Sequence, residues 1–158
     1  MKFKASLDTT TIIISIMAIV FVPVLVAWVI WFVPDPSGYA VLSMAIGIAV
    51  IAGSFFLYPT SYVVTQNGVV VNGILFSQTI PKQDIIAIEL LRNEDMSSSI
   101  RAFGSGGFFG YYGLFYNAKY KWMIWFATQR KNYVMVHTAK RKFVFTPDKP
   151  EEFIDAIN

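Results

Sequence analysis

The sequence predicts a membrane-anchored α+β protein, in which a two-helix transmembrane hairpin precedes an antiparallel β domain of about seven strands with one C-terminal helix. Hydrophobic residues make up 55% of the 158 residues, more than in ordinary soluble domains. Asp35 is the only charged residue in the range 9–60, whereas 11 of the 13 Lys and Arg residues lie from Lys82 onward. We therefore divide the chain into a hairpin, residues 1–60, and a β domain, residues 61–158.

Two uncharged runs account for the predicted hairpin. The first, residues 12–33, is long enough as a helix to cross about 30 Å of hydrocarbon at about 1.5 Å per residue. The second, residues 39–58, follows a connector rich in helix-breaking residues at 34–38. Pro23 predicts a kink in the first helix. Small residues at four-residue spacings predict that the second helix packs closely on the first, or forms a dimer face: Ser43, Gly47, Ala49 and Gly53.

The charges that flank the two runs predict their orientation. Lys2 and Lys4 precede the first run, the connector carries no Lys or Arg, and the other cations follow the second run. Because cytoplasmic segments are enriched in Lys and Arg, both termini are expected in the cytoplasm. A cleaved signal peptide is the competing interpretation of the first run, but the run is long for one and lacks a small-residue cleavage site.

Short β-rich runs and turn residues fill most of the second half. Asn67-Gly68 and Asn72-Gly73 favour the positive φ angles of hairpin turns. Three later runs, residues 122–128, 132–138 and 142–146, are separated by short charged segments and predict a three-stranded meander.

The last residues predict one amphipathic helix. Asp148 and Glu151 have the spacing of a capping box, and Pro150 suits the first turn. The predicted apolar face of this helix consists of Phe153, Ile154 and Ile157.

Several segments together carry a family resemblance. Residues 62–65, 67–68, 80–81, 84–85, 101–107 and 146–154 resemble the bacterial membrane proteins that contain a pleckstrin-homology (PH) domain. The resemblance implies a PH-like fold over about residues 60–158, a two-span anchor and a location in the bacterial inner (cytoplasmic) membrane. It does not imply phosphoinositide binding, because the turn Gln66-Asn67-Gly68 between the first two predicted strands is uncharged.

The most unusual segment is residues 101–116, which places five of the ten glycines among aromatic side chains. Its glycine spacing does not match a dinucleotide-binding loop, and no phosphate-binding Lys-Ser or Lys-Thr pair follows. A glycine-rich hairpin whose aromatics complete the core is one interpretation. The other is a loop that contacts a partner or the membrane interface. The candidate contact residues are Arg101, Phe103, Phe108, Phe109, Tyr111 and Tyr112.

Seven basic residues form a second candidate feature, concentrated at the predicted turns. Cations close to an anionic membrane surface each gain about 1 kcal/mol. Turns also carry ordinary solvated charge, so these residues form either a lipid-facing patch or a polar rim, and the sequence favours neither interpretation. The residues are Lys119, Lys121, Arg130, Lys131, Lys140, Arg141 and Lys142.

No enzyme chemistry is predicted. The chain has no cysteine and a single histidine, His137, so thiolate catalysis and cysteine or multi-histidine metal sites are excluded. No cofactor is expected. Nucleic-acid binding is not expected either, because the net charge is only +3 and no RNA-binding signature occurs.

We therefore expect a non-enzymatic interaction module that is integral to the bilayer and binds a protein partner or self-associates at the cytoplasmic membrane surface. Binding of anionic lipid headgroups is the first alternative. A small membrane enzyme or a transporter accessory subunit is the second, disfavoured because the predicted spans contain no charged residue and few polar ones, namely Ser15, Ser43 and Ser54.

Overall fold

The computed structural model describes residues 1–32 and 38–158, so the predicted connector lies mostly outside the described residues. The chain contains two long helices, a β domain and a C-terminal helix. The helices are α1 (Thr9–Phe32), α2 (Gly38–Phe56), α3 (Asn93–Ser97) and α4 (Pro150–Ile157). The strands are β1 (Lys2–Lys4), β2 (Pro59–Thr65), β3 (Gly68–Gly73), β4 (Ser77–Pro81), β5 (Ile85–Leu90), β6 (Ile100–Gly106), β7 (Tyr111–Asn117), β8 (Lys121–Ala127), β9 (Val134–Thr138) and β10 (Lys142–Phe145).

The two predicted runs are both helical, and α1 continues through Pro23. Among the described helices, α1 alone is long and apolar enough by itself to qualify as a span, since the apolar helix at Ala40–Phe56 is shorter. The apolar side chains of α1 and α2 are largely exposed, for example Phe21 at 64% and Trp31 at 83% in α1. A Cβ added at Gly47 or Gly53 would meet no atom within 4 Å, so α1 does not approach α2 closely at these two glycines, and a dimer face on α2 stays a prediction.

An N-terminal strand that the sequence did not predict joins the β domain. Strand β1 pairs antiparallel with β2, and Phe3 lies opposite Tyr62. The ring of Phe3 is buried and packs edge-on against Phe153, with 5.2 Å between centroids. The four-stranded sheet has the order β1-β2-β3-β4. The strand that precedes α1 in the chain and the strand that follows α2 are therefore neighbours in one sheet.

The predicted meander of β8, β9 and β10 is wrong. The second sheet has the order β5-β9-β10-β8-β7-β6, so β10 lies between β9 and β8 and runs parallel to β8. The segment after β8 does not turn back to pair with β8; its Thr128 N donates to Thr146 Oγ1 and its Gln129 Nε2 donates to Thr146 O. Three of the four residues of β10 are buried, which suits a central strand covered on both faces.

Alternation along the strands divides the core into two clusters. Val134 and Val136 point into a cluster between the two sheets and α4, whereas Met135 points to the opposite face. That opposite face carries a second cluster, which is aromatic and includes Phe115 and Trp125. The six-stranded sheet is therefore covered on both sides near its centre.

Helix α4 confirms the predicted apolar face but not the predicted cap. Phe153 and Ile157 are buried and Ile154 is partly buried in the core. The capping box is absent: Lys149 is the N-cap residue and no side chain caps the helix. Asp148 instead accepts hydrogen bonds from the backbone N–H and the hydroxyl of Ser6, at 3.3 and 2.6 Å, because the chain before α1 approaches it.

Buried tyrosines predict a loss of stability in alkali. Tyr62 is fully buried and donates a hydrogen bond to Phe126 O, and burial raises the pKa of Tyr62 to about 12. Burial likewise raises the pKa of Tyr133 to about 12. Since an unfolded tyrosine titrates near about 10, the unfolded chain loses these protons first, and the free energy of unfolding falls as pH rises from about 10 towards 12.

Denaturant unfolding at a series of alkaline pH values measures how steeply the free energy of unfolding falls with pH. The Tyr62→Phe variant is less stable near neutral pH, because Phe126 O loses its donor, but its stability should fall less steeply above pH about 10. Replacement of the exposed Tyr116 by Phe serves as the control. A Tyr62→Phe slope equal to that of the parent protein would contradict the assignment.

Candidate functional site

The tip of the β6–β7 hairpin contacts the two long helices. The backbone N–H of Phe109 donates to Ser15 Oγ in α1 at 2.9 Å, and the Phe109 ring packs edge-on against Phe55 of α2 with 5.2 Å between centroids. A Cβ at Gly107 would lie 3.4 Å from Ile14. The glycine-rich segment is therefore a hairpin, as the first interpretation predicted, whose tip lies against the helices.

Polar contacts reinforce this junction. The hydroxyl of Tyr112 donates to Ser54 O at 2.6 Å, near the end of α2. Asp8 lies just before α1 and accepts from the N–H of Thr11 at 2.7 Å and from the N–H of Arg130 at 3.0 Å. Contacts at the start of α1 and at the end of α2 thus hold the β domain directly on the helix pair.

The six candidate contact residues do not form one surface. Phe109, Tyr111 and Tyr112 are buried and Phe108 is half-buried. Arg101 and Phe103 are exposed, and Phe103 is exposed to 78%. The tip of the β6–β7 hairpin therefore contributes to the junction with the helices. The opposite end of the hairpin, where Arg101 and Phe103 lie, is exposed.

An exposed apolar surface covers that outward end, and we call it the β6–β8 face. Strand register places its members side by side: Tyr116 pairs with both Ile100 and Trp122, and Phe103 pairs with Leu114. Ile100 is 69% exposed and Trp122 is 56% exposed. Contiguous exposed apolar side chains of this kind are typical of interaction surfaces. The β6–β8 face consists of Ile100, Phe103, Leu114, Tyr116 and Trp122.

The seven candidate basic residues separate into different environments. Lys119 lies 3.0 Å from Asp95, and its ammonium holds the pKa of that carboxyl below its ordinary value. The Arg130 guanidinium lies over the ring of Tyr111 at 4.9 Å. Lys121 and Lys131 are exposed. One group does meet the β6–β8 face, since a groove next to Leu114 and Trp122 is lined by Lys140, Arg141 and Lys142.

All charged residues that line this groove are cations. Residues 101–147 contain eight Lys and Arg residues and no Asp or Glu. Lys142 is held in place because its Nζ donates to Tyr120 O at 2.9 Å, and Lys140 and Arg141 are exposed. The β6–β8 face is therefore apolar with a basic border.

Comparison with known proteins identifies the β domain. The family model for the bacterial PH domain matches residues 60–158. The chain belongs to this family. No curated protein and no solved structure matches the chain. The match begins at the second residue of β2, so β1 and both long helices lie outside the part of the chain that defines the bacterial PH domain.

The remaining candidate residues of the bacterial PH domain have structural contacts. His137 Nε2 lies 3.4 Å from Glu89 Oε2 on the neighbouring strand, as expected for a satisfied strand histidine. Within residues 1–32 and 38–158, no group of three or more His, Asp and Glu side chains is placed to bind a metal ion. Sequence reasoning did not assign Trp122 or Ile100 to a site, and only the register of the bacterial PH domain strands places both beside Tyr116.

Proposed function

We propose that this chain is a membrane-anchored, non-enzymatic PH-like interaction module that binds a protein partner at the cytoplasmic surface of the membrane. The β6–β8 face carries the proposal, because it is an exposed apolar surface on a domain held directly against two apolar helices. A domain held in this way meets other membrane proteins at a high local concentration, so even weak contacts become effective.

The pairing of β1 with β2 supports a two-span anchor. Strand β1 precedes α1 and strand β2 follows α2, yet the two strands lie in one sheet. If α1 crosses the bilayer, the chain must cross back before β2. Helix α2 has 19 residues and so spans about 28 Å, close to the thickness of the hydrocarbon core. Removal of α1 as a signal sequence would also remove β1 and expose the edge of β2.

Labelling of single cysteines tests the cytoplasmic orientation. The parent chain has no cysteine, and Asn67 is exposed in the turn between β2 and β3. A membrane-impermeant maleimide should fail to label Asn67→Cys in intact cells and label it after lysis, because the Lys- and Arg-rich side stays inside. Ser37→Cys in the predicted connector should show the opposite pattern. Labelling of position 67 in intact cells would overturn the orientation.

The charge around the β6–β8 face specifies the partner. Two copies of this chain would bring the same cations together at that face, which opposes direct self-association. A partner whose apolar contact surface is bordered by Asp and Glu would match both the apolar residues and the basic border. We therefore propose an acidic protein surface as the ligand of the β6–β8 face.

Site-specific cross-linking tests this proposal. A photoreactive residue at position 103 in the full chain should cross-link in membranes to a protein segment rich in acidic residues. Phe103→Ser combined with Trp122→Ser should reduce co-purification of that protein at least about tenfold, as expected when central apolar contacts are lost. Ile86→Ser is the control, because Ile86 is 70% exposed on β5 at the other edge of the sheet. Charge reversal of Lys140 and Arg141 should also weaken binding, more strongly at low salt.

Three results would overturn the proposed partner. Cross-links between two copies of the chain would assign the β6–β8 face to self-association. Cross-links only to lipid, lost when anionic lipids are replaced by phosphatidylcholine, would assign it to lipid headgroups. Co-purification that is equally reduced by Ile86→Ser would remove the β6–β8 face from the interaction.

A further inference from the structure

A cavity of about 460 Å³ lies on the side of the six-stranded sheet that α3 covers, remote from the β6–β8 face. Its volume is within the range of small-molecule binding sites. Four aromatic side chains line it, from β7, β8 and the segment before β9, and Arg130 and Glu94 add one charge of each sign. The aromatic residues are Tyr111, Phe115, Trp125 and Tyr133.

Two of the lining residues carry buried polar atoms that have no hydrogen-bond partner in the part of the chain that the structure describes. These atoms are the hydroxyl of Tyr111 and the indole N–H of Trp125. The two side chains are only 3% and 4% exposed, so bulk water does not replace the missing partners. Buried polar groups in native proteins are nearly always paired, and an unpaired one destabilises the fold by its lost hydration. Both side chains line the cavity, so a molecule bound there that reaches these atoms would supply the missing partners.

The chemistry of these groups specifies the molecule. An indole N–H can only donate a hydrogen bond, and the Arg130 guanidinium is a cationic donor that lies 4.9 Å above the Tyr111 ring. Arg130 is exposed, so its side chain can reorient towards a ligand. A carboxylate or phosphate group accepts from all three donors, and the aromatic walls suit an apolar or planar body. Glu94 lies on α3 at the same cavity and disfavours ligands that carry a second anionic group.

We propose that this cavity binds a small molecule with one carboxylate or phosphate group and an apolar body, which accepts hydrogen bonds from Tyr111, Trp125 and Arg130. The site lies beside the start of α1, because the N–H of Arg130 donates to Asp8 in the last turn before that helix. The anionic group therefore comes either from a free acid or phosphate ester, or from a lipid headgroup.

Fluorescence of Trp125 tests the proposal in the full chain. Replacement of the other three tryptophans, Trp28, Trp31 and Trp122, by Phe leaves Trp125 as the reporter. Phenyl phosphate and benzoate should change its emission saturably, whereas benzyl alcohol, which has the ring but no charge, should bind at least about tenfold more weakly.

Two variants distinguish binding from a structural role. Arg130→Gln should weaken phenyl phosphate binding about tenfold or more, whereas Lys131→Gln, the matched control at the neighbouring exposed cation, should leave it unchanged. Tyr111→Phe should weaken binding several-fold without lowering the unfolding midpoint of the ligand-free protein, because the hydroxyl has no partner to lose. A purely structural tyrosine would show the reverse pattern.

The source of the anionic group is tested by competition. Phosphatidylglycerol in the vesicles that hold the protein should displace phenyl phosphate if the ligand is a headgroup, and phosphatidylcholine vesicles should not. Retained phenyl phosphate binding in both vesicles supports a free acid or ester. The proposal is overturned if neither anionic probe gives a saturable change up to about 10 mM, if benzyl alcohol binds as well, or if Arg130→Gln binds unchanged.

Discussion

Replacement of Gly113 by alanine should destabilise the β domain by more than about 3 kcal/mol. Gly113 of β7 lies opposite Gly104 of β6, and both have positive φ angles, +117° and +108°. A Cβ at Gly113 would lie 2.3 Å from Phe103 O and 2.8 Å from the Cα of Gly104. Both contacts involve backbone atoms, so the two strands would have to separate.

Denaturant unfolding in detergent, followed by tryptophan fluorescence, measures this effect. Gly47→Ala in α2 is the matched control, because a Cβ there meets no atom within 4 Å and alanine favours a helix. Its stability should equal or slightly exceed that of the parent. Equal stability of Gly113→Ala and the parent would mean that β6 and β7 do not approach as closely as described.

Replacement of Phe3 by alanine should lower the free energy of unfolding by about 3 kcal/mol or more. The Phe3 side chain is 7% exposed and belongs to the cluster between the two sheets, where it contacts Phe153. Truncation leaves a space that the surrounding β-sheet can close only in part. The loss would be a large fraction of the stability of a domain of this size.

The neighbouring Lys2 supplies the control for this experiment. Its side chain is exposed on the same strand, so Lys2→Ala should change the free energy of unfolding by less than about 0.5 kcal/mol. The same denaturant titration measures both variants. If Phe3→Ala were as stable as Lys2→Ala, β1 would not be part of the core, and the argument for two membrane crossings would lose its basis.

Local patterns were sufficient for part of this description. The uncharged runs predicted α1 and α2 within a few residues, because a long apolar sequence has few alternatives to a helix. Asn67-Gly68 marked the β2–β3 hairpin because it suits positive φ angles. Phe153 and Ile157 were placed on the buried face of α4 from their spacing alone. In the candidate site, the sequence indicated Phe103 and the cations at 140–142 but gave no reason to join them.

Contacts between distant segments decided the rest. Strand β1 is three residues long, too short to give a periodic signal, and it forms only because β2 offers an edge. The pairing of β10 with β8 joins residues about 19 positions apart, and Thr128 and Gln129 bond to Thr146 at the end of it. The unpaired groups of Tyr111 and Trp125 became visible only once their surroundings were known.

Composition, turn residues and spacing predicted two apolar helices and a C-terminal helix, because these signals act over a few neighbouring residues. The resemblance of several segments to a known family predicted the bacterial PH domain. The three-dimensional arrangement was needed to show that Phe109 packs against the helices while Phe103 faces outward, and that an aromatic cavity with unpaired donors lies under α3. The burial of each of these side chains depends on the face of the sheet that it occupies and on the element that packs against that face. Those relations join residues as far apart as Ser15 and Phe109, and no local pattern encodes them.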